Sequence, residues 1–123
     1  MFVILLLLLS KISFALECNP GTFTDGDKCI DCPLGSFQPD ENGIECLSCP
    51  EGYYQSLLKS ENCSLCPSGY SQPRWRSVTC ENCIEGYFSD SEGNKECSEC
   101  PKGYYQENIL SSQCKSCPKG YNL

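Results

Sequence analysis

Pairs of cysteines separated by two residues recur along this chain at a fixed interval, which restricts its fold more than any other feature. They stand at Cys29/Cys32, Cys46/Cys49, Cys63/Cys66, Cys80/Cys83, Cys97/Cys100 and Cys114/Cys117, each pair opening 17 residues after the one before. The second cysteine is followed by Pro, any residue, Gly and one or two aromatics, as in Cys49-Pro50-Glu51-Gly52-Tyr53-Tyr54 and Cys100-Pro101-Lys102-Gly103-Tyr104-Tyr105. A short constant period of this kind marks a repeat protein whose units stack on their neighbours.

The repeat frame divides the chain. Aligning Gly21 with Gly35 puts Cys18 at the place of Cys32, so residues 18–31 form a shortened first repeat. Five 17-residue repeats fill 32–116, and 117–123 is a truncated repeat. Inside a unit, Cys-Pro-x-Gly reads as a type I turn, with Pro fixing φ at the second position and Gly relieving the fourth. Ile84 replaces that Pro in the unit opening at Cys83, which predicts a softer turn there. The aromatics favour strand, and the middle of each unit, such as Asp40-Glu41-Asn42-Gly43, is turn chemistry. A unit of 17 residues cannot bury a core of its own and needs covalent staples. The predicted fold is therefore small and disulfide-rich. It is an elongated tandem array of short disulfide-closed β-hairpin-like units with little regular secondary structure, no helix beyond a signal peptide, and contacts between sequence neighbours only.

Staples require an oxidising compartment, and the amino terminus supplies the address. The apolar run Phe2 to Leu9 leads to Ser13-Phe14-Ala15, small residues that a signal peptidase accepts, so residues 1–15 are expected to be a cleaved signal peptide. The run is too short for a membrane span of about 20 apolar residues. Thirteen cysteines in 123 residues are then a disulfide framework in a secreted chain or the ectodomain of a longer membrane protein. Loss of residues 1–15 removes Lys11 from nine basic side chains, leaving eight against 16 acidic ones and a net charge of −8. Nucleic acid and anionic lipid surfaces, which need basic patches, are poor partners for such a chain. No second apolar stretch that spans a membrane is present.

Two connectivities satisfy the spacing. Nearest-neighbour pairing closes each unit as Cys18–Cys29, Cys32–Cys46, Cys49–Cys63, Cys66–Cys80, Cys83–Cys97 and Cys100–Cys114, leaving Cys117 unpaired. Crossed pairing joins Cys29–Cys46 and Cys32–Cys49, and so onward, leaving Cys18 over. The phase of the first repeat favours the former, because the 11-residue step from Cys18 to Cys29 keeps its closing pair and shortens only the loop tip. A secreted zinc- or thiol-binding protein is the alternative, since Cys-x2-Cys-x13-Cys-x2-Cys is close to a four-cysteine zinc spacing. The export signal, the absence of His and the lack of linkers between sites count against it.

The run Cys-Pro-x-Gly-x-Tyr/Phe, a loop, then Cys-x-x-Cys resembles the ephrin-receptor-like cysteine-rich repeats of extracellular receptor-type proteins. More distantly it is similar to the opening module of tumour necrosis factor receptor cysteine-rich domains and to furin-like modules. The resemblance covers residues 18–123. It implies pairing of the first cysteine of Cys-Pro-x-Gly-x-Tyr with the next, which here matches Cys32–Cys46 and Cys49–Cys63. It implies an extracellular receptor- or adhesion-like module, with no cofactor and with a protein or glycan ligand at the cell surface or in matrix.

Residues for catalysis are missing: there is no His, no phosphate-cradling glycine loop and no nucleophile with an evident base. The expectation is a non-enzymatic structural rod or protein-binding module with no metal. Asp25-Gly26-Asp27 and Asp90-Ser91-Glu92-Gly93-Asn94 are acidic tips that could touch calcium but lack the twelve-residue loop pattern. Asn62-Cys63-Ser64 is a glycosylation sequon, making Asn62 a candidate acceptor, although its middle residue is expected to be in a disulfide. The tenth residue of each full unit is Glu41, Leu58, Trp75, Glu92 or Ile109, with Leu57 and Leu110 beside two of them. Arg74-Trp75-Arg76 holds the only Trp and both Arg of the chain, types enriched in binding hot spots. The default reading is that these apolar side chains fold back onto the next unit's turn. The competing one is a binding face at Arg74, Trp75 and Arg76.

Overall fold

The computed structural model describes residues 16–107 and 111–117, so the expected signal peptide, Ile109, Leu110 and the Pro118-Lys119-Gly120-Tyr121 turn lie outside the described residues. Among the described residues twelve strands of two or three residues pair as six separate antiparallel hairpins, and no helix occurs. β1 (Thr22–Thr24) pairs with β2 (Cys29–Asp31), β3 (Ser36–Phe37) with β4 (Leu47–Ser48), and β5 (Tyr53–Tyr54) with β6 (Ser64–Leu65). β7 (Tyr70–Ser71) pairs with β8 (Glu81–Asn82), β9 (Tyr87–Phe88) with β10 (Ser98–Glu99), and β11 (Tyr104–Tyr105) with β12 (Lys115–Ser116).

Two-residue strands have no stability of their own in water; each hairpin is closed by a disulfide. The bonds are Cys18–Cys29, Cys32–Cys46, Cys49–Cys63, Cys66–Cys80, Cys83–Cys97 and Cys100–Cys114, with Cα separations of 5.5–5.9 Å, and Cys117 is a free thiol. Closing a loop of about 15 residues removes about 3 kcal/mol of unfolded-chain entropy in the simplest model. The opening cysteines Cys18, Cys32, Cys49, Cys66 and Cys83 are at most 2% exposed and are the hydrophobic core. Among the described residues the other fully buried side chains are Ser36 and Ser89, with no large aliphatic among them.

The turn after each opening cysteine lies one residue later than the sequence suggests. Ser36 N–H donates to Pro33 O at 3.2 Å and Tyr53 N–H to Pro50 O at 3.1 Å, and Gly35 has φ of 78°. Glycine is thus the third residue of the turn, not the fourth, and the turn is type II, which demands positive φ there. The same bond forms from Tyr87 N–H to Ile84 O at 3.0 Å where Pro is absent.

Stacking is done by backbone. With positions counted from the opening cysteine, the N–H of position 4 donates to the C=O of position 7 in the next unit. Examples are Gly35 to Gln55 at 2.9 Å and Gly52 to Gln72 at 2.7 Å. The N–H of position 7 donates to the C=O of position 12 one unit on, as Gln38 to Ser60 and Gln55 to Ser77, both at 3.0 Å. The N–H of position 11 reaches back to the opening cysteine's C=O, as Lys59 to Cys32 at 2.9 Å and Arg76 to Cys49 at 2.7 Å. Three such bonds contribute about 3 kcal/mol per junction at the usual net worth of about 1 kcal/mol each. Units two apart also touch. The carbonyl of Arg76 lies over Gly35, that of Lys59 over Gly21 and that of Gly93 over Gly52. The expectation of contacts between sequence neighbours alone is therefore overturned, because the tip of each unit overhangs the turn two units earlier.

Candidate binding face

The loop tips owe their shape to a buried glutamine that the sequence reading passed over. Gln55 donates from Nε2 to Asn62 O at 2.8 Å and accepts Leu57 N–H on Oε1 at 3.0 Å. Gln72 does the same with Thr79 O at 2.8 Å and Arg74 N–H at 3.0 Å, and Gln38 with Glu45 O and Asp40 N–H. Position 7 is 3–8% exposed at these three glutamines, so a polar side chain braces each loop from inside. In the unit opening at Cys83 this position is Ser89, whose hydroxyl accepts the Asn94 Nδ2–H at 2.6 Å instead. The signal was present in the sequence as Gln38, Gln55, Gln72 and Gln106 at the same phase, each but Gln72 directly after an aromatic.

Each tip then turns through a left-handed residue at position 11: Asn42 (φ 58°), Lys59 (φ 58°), Arg76 (φ 60°) and Gly93 (φ 77°). Hydroxyl donors close the two middle tips, Ser60 Oγ to Leu57 O at 3.1 Å and Ser77 Oγ to Arg74 O at 3.0 Å. Out of these braced loops Leu57, Leu58 and Trp75 stand 66%, 61% and 61% exposed. Trp75 does not fold onto the next unit. Its Nε1–H donates to Glu51 Oε1 at 3.2 Å, in the Pro-x-Gly turn of the preceding unit, and Glu51 Oε2 lies 3.3 Å from Lys95 Nζ of the following one. One carboxylate therefore fixes the indole and links three successive units. Arg74 pairs with Glu81 on its own hairpin, whereas Arg76 is exposed with no ion pair among the described residues.

The remaining residues singled out in the sequence lie apart from this face. Asn62 and Ser64 are both exposed where the loop meets β6. Asp25 Oδ1 accepts the N–H groups of Asp27 and Lys28, each at 3.0 Å, and these bonds hold its carboxyl below the ordinary value. That oxygen closes a turn rather than facing a cation. Clefts of about 300 and 280 Å³ lie between successive units, the first lined by Tyr54, Pro67, Tyr70 and Val78 and the second by Pro73, Ile84, Tyr87 and Lys95 among others. Both are open to solvent.

Twelve cysteines bound in disulfides cannot serve as zinc thiolates, and no group of three His, Cys, Asp or Glu among the described residues is placed to hold a metal. Stacked disulfide-closed hairpins with braced, chemically varied tips define a class: small tandem cysteine-rich repeat arrays of the receptor-ectodomain type. Within it, the chain belongs to the ephrin-receptor-like repeat family. The family profile described as tyrosine-protein kinase ephrin type A/B receptor-like matches residues 21–57, 52–93 and 86–122, together spanning 21–122. No curated protein matches the chain.

Proposed function

We propose that this is a non-catalytic extracellular module, secreted or part of a longer ectodomain, that presents its loop tips to a protein on a cell surface or in matrix. Residues 1–15 are its export signal, and the mature chain begins near Leu16. One observation carries the reading: Trp75 is held by Glu51 yet remains 61% exposed. A large aromatic fixed in one pose and left in water loses little conformational entropy on binding, and Trp leads the residue types found in hot spots. The family supports an ectodomain role, since its repeats are disulfide-bonded extracellular modules. The test is the triple substitution Trp75→Ala, Arg74→Ser and Arg76→Ser in protein secreted from cells. Unchanged thermal stability with lost binding to cells or matrix is expected. Lowered stability with unaltered binding would assign these side chains to packing instead.

A further inference from the structure

The tips of the two units opening at Cys49 and Cys66 lie side by side. Lys59 N–H is bonded to Cys32 O, and the carbonyl of Arg76 rests on Gly35. Both tips are therefore seated on the segment Cys32-Pro33-Leu34-Gly35, which spans at most about 11 Å even when fully extended. The same construction seats Asn42 and Lys59 on Cys18–Gly21, and Arg76 and Gly93 on Cys49–Gly52. The four left-handed tips thus form one row, in the order Asn42, Lys59, Arg76, Gly93.

Chemistry along that row is uneven. The outer tips carry Asp40-Glu41 and Glu92, and the two middle tips carry Leu57-Leu58-Lys59 and Trp75-Arg76. We propose that this middle stretch docks an acidic protein segment bearing apolar side chains. Leu57, Leu58 and Trp75 supply the apolar contacts, and Lys59 and Arg76 the cationic ones. The proposal rests on the binding reading above and deepens it in two respects: it names the partner's chemistry, and it replaces Arg74, which is held by Glu81, with Lys59 of the adjacent unit.

Three observations support an acidic partner. Lys59 and Arg76 are exposed and make no ion pair among the described residues, in a chain of net charge −7 where Arg74, Lys95 and Lys115 are paired and only Lys28 and Lys102, away from this row, are likewise unpaired among the described residues. Each occupies a left-handed position, where a long side chain is strained by about 1–2 kcal/mol and where Asn42 and Gly93 fit better. At Lys59 and Arg76 the stacking bonds use only backbone, so neither side chain is needed for them. A lipid surface or a sulfated glycan is a poorer match. Two cations are few for either, the net charge opposes both, and a glycan gives three large apolar side chains little apolar surface to cover.

The experiment selects a display library of random 12-residue peptides on the folded, secreted protein and reads binding by the fluorescence anisotropy of dye-labelled peptide in every variant and, where it is retained, by the emission of Trp75, the chain's single Trp. Enrichment of peptides combining Asp or Glu with Leu, Phe or Ile is expected, with a blue shift on binding. Affinity should fall about tenfold in the Lys59→Asn/Arg76→Asn variant, which keeps a residue suited to the left-handed backbone. Peptides without acidic enrichment, or affinities indifferent to that variant, overturn the proposal. So does a blue shift obtained with heparin or phosphatidylserine vesicles and not with acidic peptides. Loss of binding in Trp75→Ala but not in Lys59→Asn/Arg76→Asn leaves the binding face standing and removes only the acidic partner. Peptide binding that survives Trp75→Ala removes both.

Discussion

Contact between units two apart can be isolated with two glycines that share a backbone conformation and differ in what covers them. Gly35 (φ 78°) and Gly86 (φ 86°) occupy the same turn position in different units. A Cβ at Gly35 would lie 2.5 Å from the carbonyl oxygen of Arg76, and one at Gly86 would have nothing within 4 Å. Alanine at either site meets the left-handed penalty of about 1–2 kcal/mol, less about 0.4–1 kcal/mol recovered from a stiffer unfolded chain. Gly86→Ala should therefore cost about 1 kcal/mol. Gly35→Ala must in addition displace a backbone oxygen, and crowding of that kind costs about 1–3 kcal/mol, for a total of about 2–4 kcal/mol.

Disulfides hold each unit closed, so the informative assay is hydrogen exchange in the native state rather than global unfolding. The Arg76 amide, bonded to Cys49 O at 2.7 Å, should exchange at least tenfold faster in Gly35→Ala, since about 1.4 kcal/mol corresponds to a factor of ten. Trp75 emission should change in the same variant, although position 35 is 40 residues away in sequence. Gly86→Ala should leave both signals as they are. Equal loss of protection at Arg76 in the two variants would refute the overhang and leave a ladder joined only through sequence neighbours.

Gln72→Ala removes bonds to Thr79 O and from Arg74 N–H; a cost of about 2 kcal/mol is expected from two hydrogen bonds of about 1 kcal/mol each, read as faster exchange of the Arg74 amide and a lower thermal midpoint. Ile84→Pro restores the residue found at 33, 50, 67 and 101 and should stabilise the array by about 0.4–1 kcal/mol, measured as slower proteolysis within 83–99. Peptide mapping of non-reduced protein should return the six nearest-neighbour links and one titratable thiol at Cys117, and a Cys32–Cys49 peptide would show crossed pairing. Secreted protein should lose mass on treatment with a peptide N-glycosidase, and Asn62→Gln should abolish that loss, because both Asn62 and Ser64 are exposed.

The cysteine framework was legible because covalent chemistry leaves few solutions at a 17-residue period, and the hairpins followed once each loop had to close on itself. The turn type was misjudged by one residue. Cys-Pro-x-Gly contains the right residues for two turns, and only the positive φ at Gly35 separates them. The glutamine brace was visible as a periodic residue, yet polar residues between turn signals read as solvated loop. Gln55 and Gln72 are buried because each satisfies two backbone groups at once. Nothing in the sequence foretold the overhang of Arg76 on Gly35, since one partner is a carbonyl that every residue has. Nor did Lys59 and Arg76 announce left-handed backbone, which Gly or Asn would have signalled.

These hidden features share a cause that also bears on function. The bonds that recur from one junction of the stack to the next are made by main chain, side-chain bridges such as Asn42 to Cys18 and Trp75 to Glu51 being particular to one junction, and the side chains that brace the loops, Gln55 and Gln72, are buried. No side-chain bond at positions 9, 10 and 11 recurs from unit to unit, so their chemistry can change along the array while the left-handed turn at position 11 is kept. The array shows that freedom directly. Glu41-Asn42, Leu58-Lys59, Trp75-Arg76 and Glu92-Gly93 occupy tips with the same left-handed turn and unlike side chains. In a globular domain an exposed Leu-Leu beside an exposed Trp would be a liability to packing or solubility. Here the scaffold does not exclude them, and the order of apolar and cationic tips along the row is set by side chains that the recurring main-chain stacking bonds do not use.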